Sequence, residues 1–109
     1  MPLRSLLAIA LLVLTCAVYA QVGHHEFVDW DDPIGILDNS ALRATGPVDA
    51  VARAFTSTLN ANWIPLTVLS LQASYAWHGL EPAGFLLTNV ALHAASVLLL
   101  FFGLARLTR

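Results

Sequence analysis

Two stretches of the chain are almost free of polar side chains, and the charged residues lie between them or near the ends. Leu6 to Val22 is nearly all apolar, with Arg4 before it and Gln21 near its far end. Ala83 to Leu107 is a longer apolar run closed by Arg106 and Arg109. About 20 apolar residues cross a bilayer, so the first is short but sufficient for a transmembrane helix and the second is ample. Between them the pattern changes twice. Residues 23–46 show no period and carry turn signals at Gly35, Asp38-Asn39-Ser40 and Thr45-Gly46-Pro47. From Pro47 to Leu59, Val48, Val51, Ala52, Phe55 and Leu59 recur at helical spacing. Pro47 suits a first helical position, Asp49 the first turn, and Asp49 and Arg53 form an i,i+4 pair. With no room for a soluble core, this helix is expected at the membrane surface, apolar face down.

Trp63 to Trp77 is apolar almost all round, with Pro65 in its first turn and Asn62 in position to cap it. About 15 residues are marginal for a span. Trp63, Tyr75 and Trp77 at its ends suit interfacial anchoring, so a re-entrant or interfacial helix is expected. Gly79 then serves as a C-cap and Pro82 as a restart. The pattern therefore predicts an all-α membrane fold: a first transmembrane helix over 1–22, an external loop with two short helices over 23–82, and a second transmembrane helix over 83–109.

Composition makes the membrane assignment firmer. The 109 residues are 58% hydrophobic and 11% charged, with a mean hydropathy of +0.72, against roughly 45–50% and about 25% for soluble domains. All seven acidic residues, from Glu26 to Glu81, lie between the two apolar runs, while Arg4, Arg106 and Arg109 lie outside them. The positive-inside rule then places both termini in the cytoplasm and residues 23–82 outside. Taken by itself, the first run admits a second reading. A basic start, an apolar core and Val18-Tyr19-Ala20 before Gln21 also describe a cleavable signal peptide. Cys16 is the one cysteine, so no intramolecular disulfide is possible.

The candidate chemistry concentrates in Phe27-Val28-Asp29-Trp30-Asp31-Asp32-Pro33, three carboxylates within four positions just outside the first apolar run. Close carboxylates at a membrane edge repel one another and are partly desolvated, which favours one of them as a proton acceptor. An ordinary solvated acidic turn is the competing reading. His24-His25-Glu26 lies nearby, but adjacent residues in irregular chain rarely converge on one ion, so no cofactor is expected and a divalent metal is a minor alternative. In the last apolar run Asn89, His93 and Ser96 fall at i, i+4 and i+7 on one face. Polar groups at that depth are expensive and normally face a protein interior or a wet cavity. They suggest either helix–helix contact or the lining of a cleft.

The order of these motifs, followed by Asn39, Ala54-Phe55, Asn62-Trp63-Ile64-Pro65-Leu66-Thr67, Gly79-Leu80-Glu81-Pro82-Ala83-Gly84, Leu87-Thr88-Asn89 and Leu92-His93, resembles the N-terminal portion of the GT-C superfamily of membrane glycosyltransferases. The likeness is to the bacterial members with tetratricopeptide repeats, relatives of the repeat-containing protein O-mannosyltransferases, and it covers about Phe27 to Arg109. It implies that residues 1–22 are retained as a helix and that the chain is an N-terminal fragment in a bacterial inner membrane. It also implies transfer of a sugar from a polyprenyl-phosphate carrier to an acceptor hydroxyl on a protein or glycan. Asp31, then Asp32, match the position of the general base, and Asn62, Asn89 and His93 match polar positions able to bind substrate. The chain departs from the resembled pattern at Ile64 and Leu86, where histidine is common. The implied partners are membrane lipid, the lipid-linked sugar, the acceptor, and further helices of the same protein or an oligomer, with no nucleic acid. Two alternatives from other classes are a catalytically silent membrane hairpin that acts as a structural or interaction subunit, and an exported protein with one C-terminal anchor.

Overall fold

The structure, a computed structural model, describes residues 1–108; Arg109, the last of the terminal basic residues, lies outside them. Among the described residues there are four α-helices: α1 Leu3–Val18, α2 Pro47–Thr56, α3 Pro65–His78 and α4 Pro82–Leu107. A 3-10 segment, Ala20–His24, prolongs α1, and among the described residues Leu3–His24 and Pro82–Leu107 are the two helical stretches long and apolar enough to cross a membrane. The protein is thus an all-α membrane protein, and its apolar character on both stretches faces outward. The acidic loop passes through a π-type turn at Pro33–Leu37 and a 3-10 turn at Ser40–Leu42.

Helix ends follow local chemistry. Proline occupies the first turn of α2, α3 and α4, where its missing N–H costs nothing. Gly79 ends α3 at φ +66°, a conformation that glycine adopts without strain. Gly84 serves a different need. A Cβ there would collide with the His78 side chain, so glycine lets α3 fold back directly onto α4. Further along the same contact, Ser74 Oγ donates to Thr88 Oγ1 at 2.8 Å, and Thr88 Oγ1 donates to Gly84 O at 2.8 Å. α3 has 14 residues, about 21 Å at 1.5 Å per residue, and so falls short of a span.

Two small clusters hold together the segment between the two long apolar helices. Ile36, Leu42 and Phe85 pack with Phe27, Leu71 and Tyr75, joining the acidic loop to α3 and α4, and the Phe27 and Phe85 rings lie 5.8 Å apart. Ala41, Ala54 and Val68 pack with Ile64 and Leu69, joining α2 to α3. Between the clusters the buried Gln72 donates from Nε2 to Ala41 O at 2.8 Å and to Ala50 O at 3.0 Å.

Two expectations change. α2 ends at Thr56 instead of Leu59, because Leu59 and Asn62 exchange backbone hydrogen bonds across a two-residue turn. Asn62 does not cap α3: Ile64 is the capping residue, and Asn62 Nδ2 donates to Asn60 O at 3.1 Å. The periodic apolar face of α2, expected against the membrane surface, is not the face packed within the chain. Ala54 is fully buried and Ala50 partly so, while Val48, Val51 and Phe55 are exposed. Small side chains admit the close approach of Val68, and the larger ones are left outside.

Candidate functional site

The acidic loop separates its carboxylates by backbone geometry. Asp32 turns back into the loop, where its Oδ2 accepts from Val28 N at 2.8 Å. Asp31 uses its backbone carbonyl to accept from Gly35 N at 2.7 Å, and its exposed carboxylate has no hydrogen-bond partner among the described residues. Asn39 steadies the far side of the loop: Oδ1 accepts from Ala41 N and Nδ2 donates to Gly35 O, both at 3.0 Å.

Asp31 opens on a cavity of about 190 Å³ lined also by Ile34, Gly35, Leu59, Asn60, Asn62 and Ile64. The opposite wall is the Leu59–Asn62 turn, whose central residues, Asn60 and Ala61, have φ of 50° and 64°. Positive φ at both positions defines a type I′ turn. Asp31, Asn60 and Asn62 thus share the lining of the cavity with the aliphatic Ile34, Leu59 and Ile64. Asn62 Nδ2 is held by Asn60 O, so its Oδ1 remains free to accept.

Asn89 and His93 lie elsewhere. They line a second cavity of about 240 Å³ with Tyr19, Val22, Leu86 and Val90, where the first span meets α4. The His93 and Tyr19 rings meet edge-on at 5.5 Å. Ser96, the third member of the stripe, donates to Leu92 O of its own helix at 2.9 Å. The structure therefore pairs Asp31 with Asn62 and Asn89 with His93 in two separate cavities. Ile64 and Leu86, the two departures from the resembled pattern, fall one in each cavity. No group of three or more His, Cys, Asp or Glu side chains among the described residues converges to hold a metal ion.

Sequence reasoning did not single out Asn60 or Gln72. An Asn two residues before the expected cap, ahead of an alanine instead of the usual glycine, gave little sign of a type I′ turn. Asp49, expected in the first turn of α2 and as a helical pair with Arg53, does more. Its Oδ2 accepts from Thr45 N at 2.9 Å and it meets Arg53 Nε at 2.8 Å. The Thr45 amide first, and the Arg53 guanidinium next, hold the Asp49 carboxyl below the usual aspartate range.

Comparison with known proteins gives one informative likeness. Protein O-mannosyl-transferase Tmtc3 of Drosophila melanogaster is 33% identical over 105 residues, covering 90% of this chain and 11% of that protein. The likeness is to a sugar transferase. This chain corresponds to about one-ninth of that relative's length. No family model matches the chain, and no solved structure matches it.

Proposed function

We propose that the chain is the N-terminal membrane portion of a glycosyltransferase that moves a sugar from a polyprenyl-phosphate carrier to an acceptor hydroxyl, with Asp31 as general base. The observation that supports this reading is that Asp31, whose carboxylate has no hydrogen-bond partner among the described residues, lines one cavity with Asn60 and Asn62. The likeness to an O-mannosyl-transferase supports it. Displacing phosphate from a sugar carbon requires the attacking hydroxyl to lose its proton, and a carboxylate within hydrogen-bond reach performs that step. The Asn62 carboxamide would orient the same hydroxyl, and the aliphatic wall of Ile34, Leu59 and Ile64 would exclude water beside it. Asp32, already committed to Val28 N, would shape the loop. Asn89 and His93, facing their own cavity within the second span, would contact the carrier lipid. Residues 23–82 would lie on the outer face of a bacterial inner membrane, with both termini inside.

The test is sugar transfer by the intact enzyme. Asp31→Asn keeps the side-chain size and removes the base, so transfer should fall by about 10²- to 10⁴-fold while acceptor binding persists. Asp32→Asn should weaken the loop and lower activity less. Undiminished transfer by Asp31→Asn would sink the proposed role, and absence of any transfer by the unaltered protein would leave a catalytically silent membrane hairpin.

A further inference from the structure

The dimensions of the molecule limit how far its extramembrane layer stands from the bilayer. α4 has 26 residues, about 39 Å at 1.5 Å per residue, and the longest dimension of the whole chain is 47 Å. A bilayer measures about 30 Å across its hydrocarbon and about 40–45 Å with its headgroups. α4 therefore overshoots the hydrocarbon by roughly six residues. Its first two turns are the ones α3 packs on, through Gly84 against His78 and Thr88 against Ser74. The layer formed by α2 and α3 thus lies beside the outer end of α4, at headgroup depth.

That layer exposes a continuous uncharged patch. Val48, Val51 and Phe55 sit at i, i+3 and i+7 on the outward face of α2, with Val48 83% exposed. Trp63 extends the patch. Its indole N–H donates to Phe55 O at 2.9 Å, and the two rings meet edge-on at 6.2 Å. Asp49 and Arg53, the charged residues of α2, neutralise one another beside it. All three tryptophans, Trp30, Trp63 and Trp77, belong to the extramembrane layer and are 82%, 61% and 86% exposed. Exposed indoles at this depth match the aromatic belt of a membrane interface.

We infer that Val48, Val51, Phe55 and Trp63 form a membrane-docking face, seated in the boundary between lipid headgroups and acyl chains. The occupant is the bilayer itself, because both spans tie this layer to it and no charge on the patch opposes insertion. Docking has a structural consequence for the cavity at Asp31. Leu59, Asn60 and Asn62 of the cavity wall lie in sequence between Phe55 and Trp63, and Ile64 directly follows Trp63, so seating those two rings fixes that wall at the headgroup plane. This inference stands independently of the proposed sugar transfer.

Fluorescence tests it. In the Trp30→Phe, Trp77→Phe double variant of the full chain, Trp63 is the remaining tryptophan. After reconstitution into phosphatidylcholine nanodiscs, emission should be roughly halved by lipid brominated near the headgroup end of its acyl chains. Bromine near the methyl end should quench it less, as fits an apolar face buried about 5–10 Å into the boundary. Adding Val51→Gln and Phe55→Gln, both at exposed positions, should abolish the quenching while far-ultraviolet circular dichroism stays unchanged. Emission unaffected by either brominated lipid would overturn the proposal, and a blue-shifted, unquenched spectrum would assign the face to another protein surface. Stronger quenching from the methyl end would also overturn it, by placing Trp63 deep in the hydrocarbon.

Discussion

Ala61 holds the left-handed conformation that an alanine side chain disfavours, at φ 64° in the turn that walls the Asp31 cavity. An L-residue there carries about 1–2 kcal/mol of strain, and glycine would release it at some cost in unfolded-chain entropy. Ala61→Gly should therefore stabilise the fold by about 0.5–1 kcal/mol, read as a higher unfolding midpoint in detergent. Gly84→Ala should act in the opposite direction. Its Cβ collides with the base of the His78 side chain, which cannot swing aside, and overpacking of this kind costs about 1–3 kcal/mol. Asp49 makes a third residue-scale prediction. Its folded pKa lies below its unfolded value, so its stabilisation is complete above the ordinary aspartate value of roughly 3.9 and is lost as pH falls through the lower, folded value. Exchange of the Thr45 amide should accelerate across that acid window, and Asp49→Asn should remove the pH dependence.

At the scale of elements, helices were the legible part of the sequence and their packing was not. Pro47, Pro65, Pro82 and Gly79 mark helix ends through restrictions on φ, which act within a residue or two. The i,i+4 pairing of Asp49 with Arg53 is local in the same way. The packed face of α2 could not be read so, because hydrophobic period points to the largest side chains. The contact instead uses Ala54, whose small size fits Val68. Asn62 misled for a related reason: its role as a cap depended on where the preceding turn closed, and the Leu59–Asn62 hydrogen bonds closed it first. Gln72 is the extreme case, an ordinary polar residue in an apolar helix. It binds the 3-10 turn at Ala41 and α2 at Ala50 to α3, while its Oε1 is buried without a partner. Gln72→Leu would fill similar space but leave two carbonyls without their donor. A loss of about 1–3 kcal/mol is expected, with amide exchange rising first in α2, which this bond ties to α3.

For the whole molecule, two apolar spans set the environment in which every polar side chain on them is judged. Asn89 and His93 are exposed on α4 and line a cavity with Tyr19, whereas Ser96 is satisfied by its own helix. Hydrocarbon is a costly medium for the first two, and their shared opening toward the end of the first span gives water or a polar ligand a way to reach them. The sequence placed all three residues on one face, as helical spacing must. It could not distinguish the self-satisfied hydroxyl from the two open side chains, because that depends on rotamer and on where Tyr19 arrives. Substituted cysteines separate the two uses of the stripe. In a Cys16→Ser background in bilayers, Asn89→Cys and His93→Cys should react with a water-soluble maleimide. Leu87→Cys, about 200° around the helix from Asn89 and half exposed, should stay unlabelled in lipid. Equal silence at all three sites would mean that another helix seals the stripe, and the cavity would then be a packing joint instead of part of a substrate path. Labelling confined to Asn89 and His93 would instead identify the cavity within the second span as water-accessible, and would make it the place to look for the path of the proposed carrier.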